Sequence, residues 1–177
     1  MEHVLHGNSP RSRRLTIQVF ELLTGEYLFD PKESRTYRKD EDHVAQMVEL
    51  LGDFPNHFVR SGMYANEIFN SRGNFLAFES VSLIGQLRNI HRLTYWGLPA
   101  VLKEKYDRPD YALEADFMMK MLELVPSRRA DAGGMVGHEW LRDTIGMEGV
   151  TIGRPVGGRG QGIAGWSEVV KSSRHRR

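Results

Sequence analysis

A chain of 177 residues, 40% hydrophobic and 27% charged, is long enough for one ordinary domain and too apolar to stay unfolded. The absence of cysteine excludes disulfides, thiolate zinc sites and cysteine nucleophiles, and no apolar run reaches the length of a membrane-crossing helix. A net charge of +1 gives no global pull toward nucleic acid. Arg11, Arg13 and Arg14 near one end, and Arg174, His175, Arg176 and Arg177 at the other, read as solvated tails.

Met1–Arg14 has no apolar stretch of the kind a signal peptide needs, and its Gly, Asn, Ser, Pro and Arg residues predict a loop. Leu15–Thr24 is apolar on nearly every side, which predicts a buried helix, with Gly25 as its C-terminal stop. Glu26–Lys39 is a polar connection. Asp40–Leu51 is the clearest amphipathic helix: Val44, Met47, Val48 and Leu51 fall at i, i+3, i+4 and i+7. Asp40, Glu41 and Asp42 put negative charge in its first turn, where the helix dipole favours it, and Gly52 ends it. Met63–Ser71 reads as a short helix. Trp96–Tyr106 and Tyr111–Val125 are helical by pattern, with Pro109 between them, and Ala130–Arg142 is expected to be the last helix. Gly146–Gly165 is Gly-rich and irregular. With no convincing alternation of apolar and polar residues, the fold class is all-α.

Three stretches in order, Phe20–Phe29 (FELLTGEYLF), Asp40–Gly52 (DEDHVAQMVELLG) and Pro126–Leu141 (PSRRADAGGMVGHEWL), resemble the last third of a eukaryotic protein kinase. Pro126, Arg129, Ala130, His138, Trp140 and Leu141 match the signature that closes most kinase domains. The first stretch is similar to the second half of the long central helix of the C-lobe. Pro55, Asn89–Leu93 (NIHRL) and Glu104–Tyr106 (EKY) narrow the resemblance to the SR-protein kinases, and Arg154–Trp166 is similar to the ends of fungal members.

The resemblance implies an all-α, partial kinase C-lobe over residues 15–145. An unrelated segment at 1–14 and a Gly- and Arg-rich tail at 146–177 would flank it. It implies that Arg129 belongs to a buried ion pair with the Glu of an Ala-Pro-Glu motif, and that His138 and Trp140 help close the C-lobe. It also implies a groove for Arg-rich stretches of splicing factors, lined by Glu26, Asp42 and Glu49 and aided by Lys105. By spacing alone, Asp42 and Glu49 are about two helical turns apart and share a face, where carboxylates could take the forked donors of arginine. An ordinary solvated acidic face is the other reading of that spacing. The family's activity is ATP- and magnesium-dependent phosphorylation of serines in Arg-Ser-rich proteins, with a cytoplasmic or nuclear location.

Phosphoryl transfer needs a Gly-rich loop, a strand Lys with its helix Glu, an His-Arg-Asp loop with a following Asn, and a magnesium-holding Asp-Phe-Gly. None occurs in these residues. His91-Arg92-Leu93 lacks the Asp, and Gly153–Gly162 has no Gly-Lys-Ser/Thr after it. The seven histidines show no metal-ligand spacing. The expectation is a chain with no catalytic, cofactor-binding or metal site of its own, or else a non-catalytic module that docks Arg-rich peptides. No membrane or direct nucleic-acid partner is expected. Two departures from the family stand out. Arg11 aligns with a buried Asp of the central helix, and Asn74–Gly85 is an extra apolar segment, read as retained non-coding sequence or an inserted loop. Without upstream helices, Leu15–Leu23 should be partly uncovered. Arg129, lacking its Glu, should turn to solvent or leave the fold loose.

Overall fold

The computed structural model of the chain describes residues 10–70, 87–143 and 157. Within them lie α1 (Pro10–Thr24), α2 (Lys39–Leu51), α3 (Asn56–Ser61), α4 (Ala65–Ile68), α5 (Leu98–Ala100), α6 (Tyr111–Leu122) and α7 (Ala132–Met135). A π turn, Val101–Lys105, continues α5, and a 3₁₀ turn, Glu139–Leu141, follows α7. The described residues hold no strand, only an isolated antiparallel bridge between Phe69 and Leu87. The all-α expectation is borne out. The extra segment at 74–85 and most of the 146–177 tail lie outside the described residues.

α1 starts earlier than the composition suggested. Pro10 opens it, a position where proline's fixed φ and missing N–H cost nothing. Arg13 therefore stands on the helix, not in a solvated tail. Arg13, Thr16, Ile17 and Phe20 share one face by helical spacing, and Thr16 and Phe20 are fully buried. The opposite face is open: Leu22 is 86% exposed and Leu15 is 37% exposed. The helix is thus half covered and is not the all-round buried helix its apolar content predicted. Gly25 ends it at φ +75°, and its N–H donates to the Glu21 carbonyl at 2.8 Å. That left-handed position suits a residue without a Cβ.

α2 matches its pattern closely. Val44, Met47 and Val48 are buried, and Gly52, at φ +88°, caps the helix through its N–H to the Val48 carbonyl. Two apolar clusters make the core. One joins Phe20, Leu50, Leu98, Leu102, Met118, Met121, Leu122 and Met135; the other joins Val44, Met47, Val48, Phe54, Val59, Ile68 and Leu124. Phe29 and Leu51 pack against both clusters. Glu41, although charged, is buried because it accepts three hydrogen bonds, from the Asn89 N–H, the Asn89 side chain and the Ile90 N–H. It thereby straps the segment beginning at Leu87 onto α2.

The expected helix at Trp96–Tyr106 begins two residues later and widens into the π turn. Asp107 follows at φ +48°, a left-handed position that aspartate tolerates better than most residues. Pro109 then keeps Arg108 out of the helical region. This turn delivers the Arg108 guanidinium to Glu114 in α6, with Nη2 2.6 Å and Nε 3.0 Å from Oε1. The last expected helix, Ala130–Arg142, is broken. Gly133, Gly134 and Gly137 weaken it, and only α7 and the 3₁₀ turn form. Asp131 caps α7 by accepting the Gly134 N–H at 2.8 Å. No described helix is long and apolar enough to cross a membrane.

Candidate functional site

α2 carries the acidic face. Asp42 Oδ2 accepts the backbone N–H of Lys32 and the side-chain amide of Gln46, both at 2.8 Å. Gln46 in turn accepts the Asp30 N–H at 3.0 Å. These bonds fasten the loop after α1 along one flank of α2. On the other flank, Glu49 Oε1 accepts the Thr94 N–H at 3.0 Å, and the Glu49 carbonyl accepts the Trp96 N–H at 2.9 Å.

Between the two flanks lies a cavity of about 380 Å³, lined by Leu28, Gln46, Glu49, Leu50, Thr94 and Trp96. One wall is aromatic, one is apolar, and one carries a carboxylate. Trp96 is 42% exposed, so its ring is reachable from solvent. Asp42 Oδ1 and Glu49 Oε2 make no hydrogen bond among the described residues, so each carboxylate keeps one free oxygen. Asp42 and Glu49 are half-buried, and each has already committed one oxygen to fixing a loop. A two-oxygen grip on arginine by either one would need those bonds to be shared.

Glu26 and Lys105 are brought together. Lys105 Nζ lies 2.7 Å from Glu26 Oε2, and the Tyr106 hydroxyl donates to the same oxygen at 3.0 Å. The Glu26 N–H donates to Thr24 Oγ1 at 3.2 Å, which turns the chain as it leaves α1. The hydrogen bond from Lys105 and then that from Tyr106 hold the Glu26 carboxyl below its ordinary range. The hydrogen bond to Glu26 raises the Lys105 ammonium in return. Both groups are well exposed, so the pair is an electrostatic marker more than a source of stability. Its contribution is present above the unfolded carboxyl value and is lost as pH falls through the lowered one. Lys105→Met is expected to return the Glu26 titration toward the ordinary glutamate value. A side-chain carboxyl NMR titration checks this, and an unmoved midpoint would mean that Lys105 is not the cause.

The residues of the kinase-ending signature pack together. The His138 ring is buried, accepts the Trp140 N–H at Nδ1 and so carries its proton at Nε2, 2.9 Å from Asp116 Oδ2. Trp140 donates from its indole to Asp110 Oδ2 at 2.9 Å, and its ring lies 5.0 Å from that of Phe117. Arg129 corrects an expectation. It does not turn to solvent; it is 5% exposed, with Nε donating to the Glu123 carbonyl at 2.8 Å and Nη2 to the Leu124 carbonyl at 3.3 Å. Those carbonyls lie just past the end of α6, where acceptors lack helical partners, and their need for donors keeps the guanidinium inside. Burial pushes the Arg129 pKa down, and the Glu123 charge opposes that.

Leu28, Gln46, Thr94 and Trp96 were not singled out by sequence reasoning. Trp96 was read only as the start of a helix. The signal available was its aromatic ring beside Tyr95, ahead of Gly97 and Pro99, which marks an exposed entry segment. Among the described residues, no group of three or more His, Asp or Glu could hold a metal ion.

No protein-family model matches the chain. Its sequence is 47% identical over 156 residues to the serine/threonine-protein kinase SKY1 of Saccharomyces cerevisiae, covering 86% of this chain and 19% of that protein. It is 45% identical over 125 residues to SRSF protein kinase 3 of Homo sapiens, covering 70% of this chain and 20% of the relative. It is 36% identical over 159 residues to the protein kinase dsk1 of Schizosaccharomyces pombe, covering 86% and 26% respectively. The chain therefore spans about a fifth to a quarter of the length of these relatives.

Proposed function

Because the chain belongs to the SR-protein kinase family while matching only part of each relative's length, we propose that it supplies the substrate-docking part of such a kinase. In this reading it holds Arg-Ser-rich segments and does not by itself transfer phosphate. The observation that carries the reading is the cavity beside α2, whose lining includes both Trp96 and Glu49, with one Glu49 carboxylate oxygen unused by the Thr94 N–H. An arginine side chain suits such a cavity. Its guanidinium can donate to the carboxylate while its flat face stacks on the indole. Leu28 and Leu50 would cover its aliphatic stem. Asp42 lies about two helical turns before Glu49 on α2, where a second arginine could reach its free oxygen. The Glu26–Lys105 pair would open if a cationic peptide competed for Glu26.

The activity of the whole family, ATP-dependent phosphorylation of serines, depends on motifs that these residues do not contain. We assign ATP and magnesium to the full-length kinases and none to this stretch. The partners are Arg-Ser-rich proteins in a cytoplasmic or nuclear setting.

The test is a titration of a fluorescent Arg-Ser peptide into the 177-residue chain, paired with an assay for transfer of labelled phosphate. Binding is expected to weaken as salt shortens the Debye length from ~10 Å at 0.1 M to ~3 Å at 1 M. Asp42→Lys is expected to weaken it by about tenfold or more, a cost of ~1.4 kcal/mol. Unchanged affinity in Asp42→Lys would remove the docking reading. Measurable turnover by the pure chain would remove the claim that it is inactive alone.

A further inference from the structure

We propose that Glu41 is a positioning residue for the arginine cavity: through the segment from Asn89 to Trp96 it fixes the wall that Thr94 and Trp96 form. Its effect on binding rests on the docking reading; its effect on the wall does not.

Two glutamates of α2 hold that segment, one near each end. Glu41 Oε1 accepts the Asn89 N–H at 2.5 Å and the Ile90 N–H at 3.1 Å, and Oε2 accepts the Asn89 side-chain amide at 2.7 Å. Further along the helix, Glu49 Oε1 accepts the Thr94 N–H at 3.0 Å, and the Glu49 carbonyl accepts the Trp96 N–H at 2.9 Å. The segment therefore runs along α2 in the direction of the helix. From Glu41 to Glu49 the helix advances about 12 Å. The stretch from Asn89 to Thr94 can span at most about 17 Å. It has little length to spare, so a lengthwise shift at Asn89 reaches Thr94 and Trp96.

Other contacts do not set this register. Ile90 and Leu93 rest on the apolar cluster that includes Val44, Met47 and Val48, but apolar contact is non-directional and lets a chain slide. The Arg88 N–H donates to the Ile68 carbonyl at 2.8 Å, which ties the start of the segment to the end of α4. Glu41 ties it to α2 itself. Glu41 is 3% exposed, and its charge is met by the three N–H donors and by the positive end of α2, in whose first turn it stands. An apolar side chain could fill the same space. It could not hold two successive backbone N–H groups and an amide at one point.

The experiment compares Glu41→Met with Glu41→Gln in the 177-residue chain, by NMR without peptide and by titration of the fluorescent Arg-Ser peptide. Gln can keep all three bonds: its Oε1 accepts both backbone N–H groups, and its Nε2 donates to the Asn89 side chain once that amide turns over. Met fills the space and keeps none. Without peptide, the Thr94 N–H and Trp96 indole N–H resonances are expected to move in Glu41→Met and to stay near the parent positions in Glu41→Gln. Peptide affinity is expected to fall about fivefold in Glu41→Met and to remain near the parent value in Glu41→Gln. On top of Glu41→Met, Glu49→Gln should cost less than about twofold, against several-fold in the parent, because the displaced wall no longer faces the carboxylate. Unmoved Thr94 and Trp96 resonances in Glu41→Met would overturn the proposal. So would additive losses in the double variant, which a lower folded fraction alone would give. Should Glu41→Met not fold, Asn89→Ala removes only the side-chain bond and carries the same test: the two resonances are expected to move, and unmoved ones overturn the proposal. Failure of the docking reading looks different. The parent chain would then not bind the peptide, while the Thr94 and Trp96 resonances would still follow Glu41.

Discussion

Arg108→Ala is expected to destabilise the chain by about 3 kcal/mol. Glu114 is 0% exposed, and its carboxylate depends on the Arg108 guanidinium 2.6 Å away. Removing the guanidinium leaves a charge in the interior with nothing to balance it. Breaking a fully buried pair costs about 3–5 kcal/mol; the lower figure applies because the Arg108 side chain is 29% exposed, so water can partly replace it. Against a domain margin of about 5–15 kcal/mol this loss is severe. The urea midpoint should fall while the slope stays constant. The double variant Arg108→Met with Glu114→Leu should recover most of the loss, since a matched apolar pair carries no desolvation cost. A single-variant loss below about 0.5 kcal/mol, the scale of an exposed ion pair, would show that the pair does not hold the π turn to α6.

Affinity for an Arg-Ser peptide should drop by about thirtyfold in Glu49→Lys, a cost of ~2 kcal/mol. The substitution places a cation in the wall that the peptide's guanidinium would approach. It also breaks the bond to the Thr94 N–H, so the loss could come from a displaced loop. Glu49→Gln separates the two causes. Its amide oxygen can still accept from Thr94, while the charge is gone. Glu49→Gln should therefore keep the fold and still lose several-fold in affinity. Trp96→Ala should cost about 1 kcal/mol, roughly fivefold, through lost stacking. Parent-like binding in both Glu49→Gln and Trp96→Ala would move the ligand away from this cavity.

α2 was legible in the sequence because its apolar period, acidic first turn and terminal glycine agree with one another. α6 was legible for the same reason of periodicity. Pro10–Arg14 was misread because arginine, serine and proline suggest a loop when their tertiary neighbours are unknown. Yet Pro10 is a good first helical residue, and Arg13 is drawn inward with Phe20. The break in the last expected helix followed from Gly133, Gly134 and Gly137, whose helix cost outweighed the apolar spacing of Ala130–Arg142.

The carboxylates of the site were legible, but their surroundings were not. Asp42 and Glu49 could be placed on one face of α2 from spacing. That Thr94 and Trp96 fold over Glu49 depends on a contact between residues 45 positions apart, which no local pattern records. The position of Arg129 also escaped a local reading. A charge without its carboxylate is expected to leave the interior, but two carbonyls just beyond α6 retain it.

The account rests on the cavity beside α2 receiving arginine, and amide and indole chemical-shift mapping tests that directly. When an Arg-Ser peptide is added to the isotopically labelled chain, the shifts should concentrate at Leu28, Gln46, Glu49, Thr94 and the Trp96 indole N–H. They should saturate together, and in Glu49→Gln the same shifts should need several-fold more peptide to saturate. Shifts scattered along the acidic surface, or absent from Trp96 at peptide saturation, would contradict it.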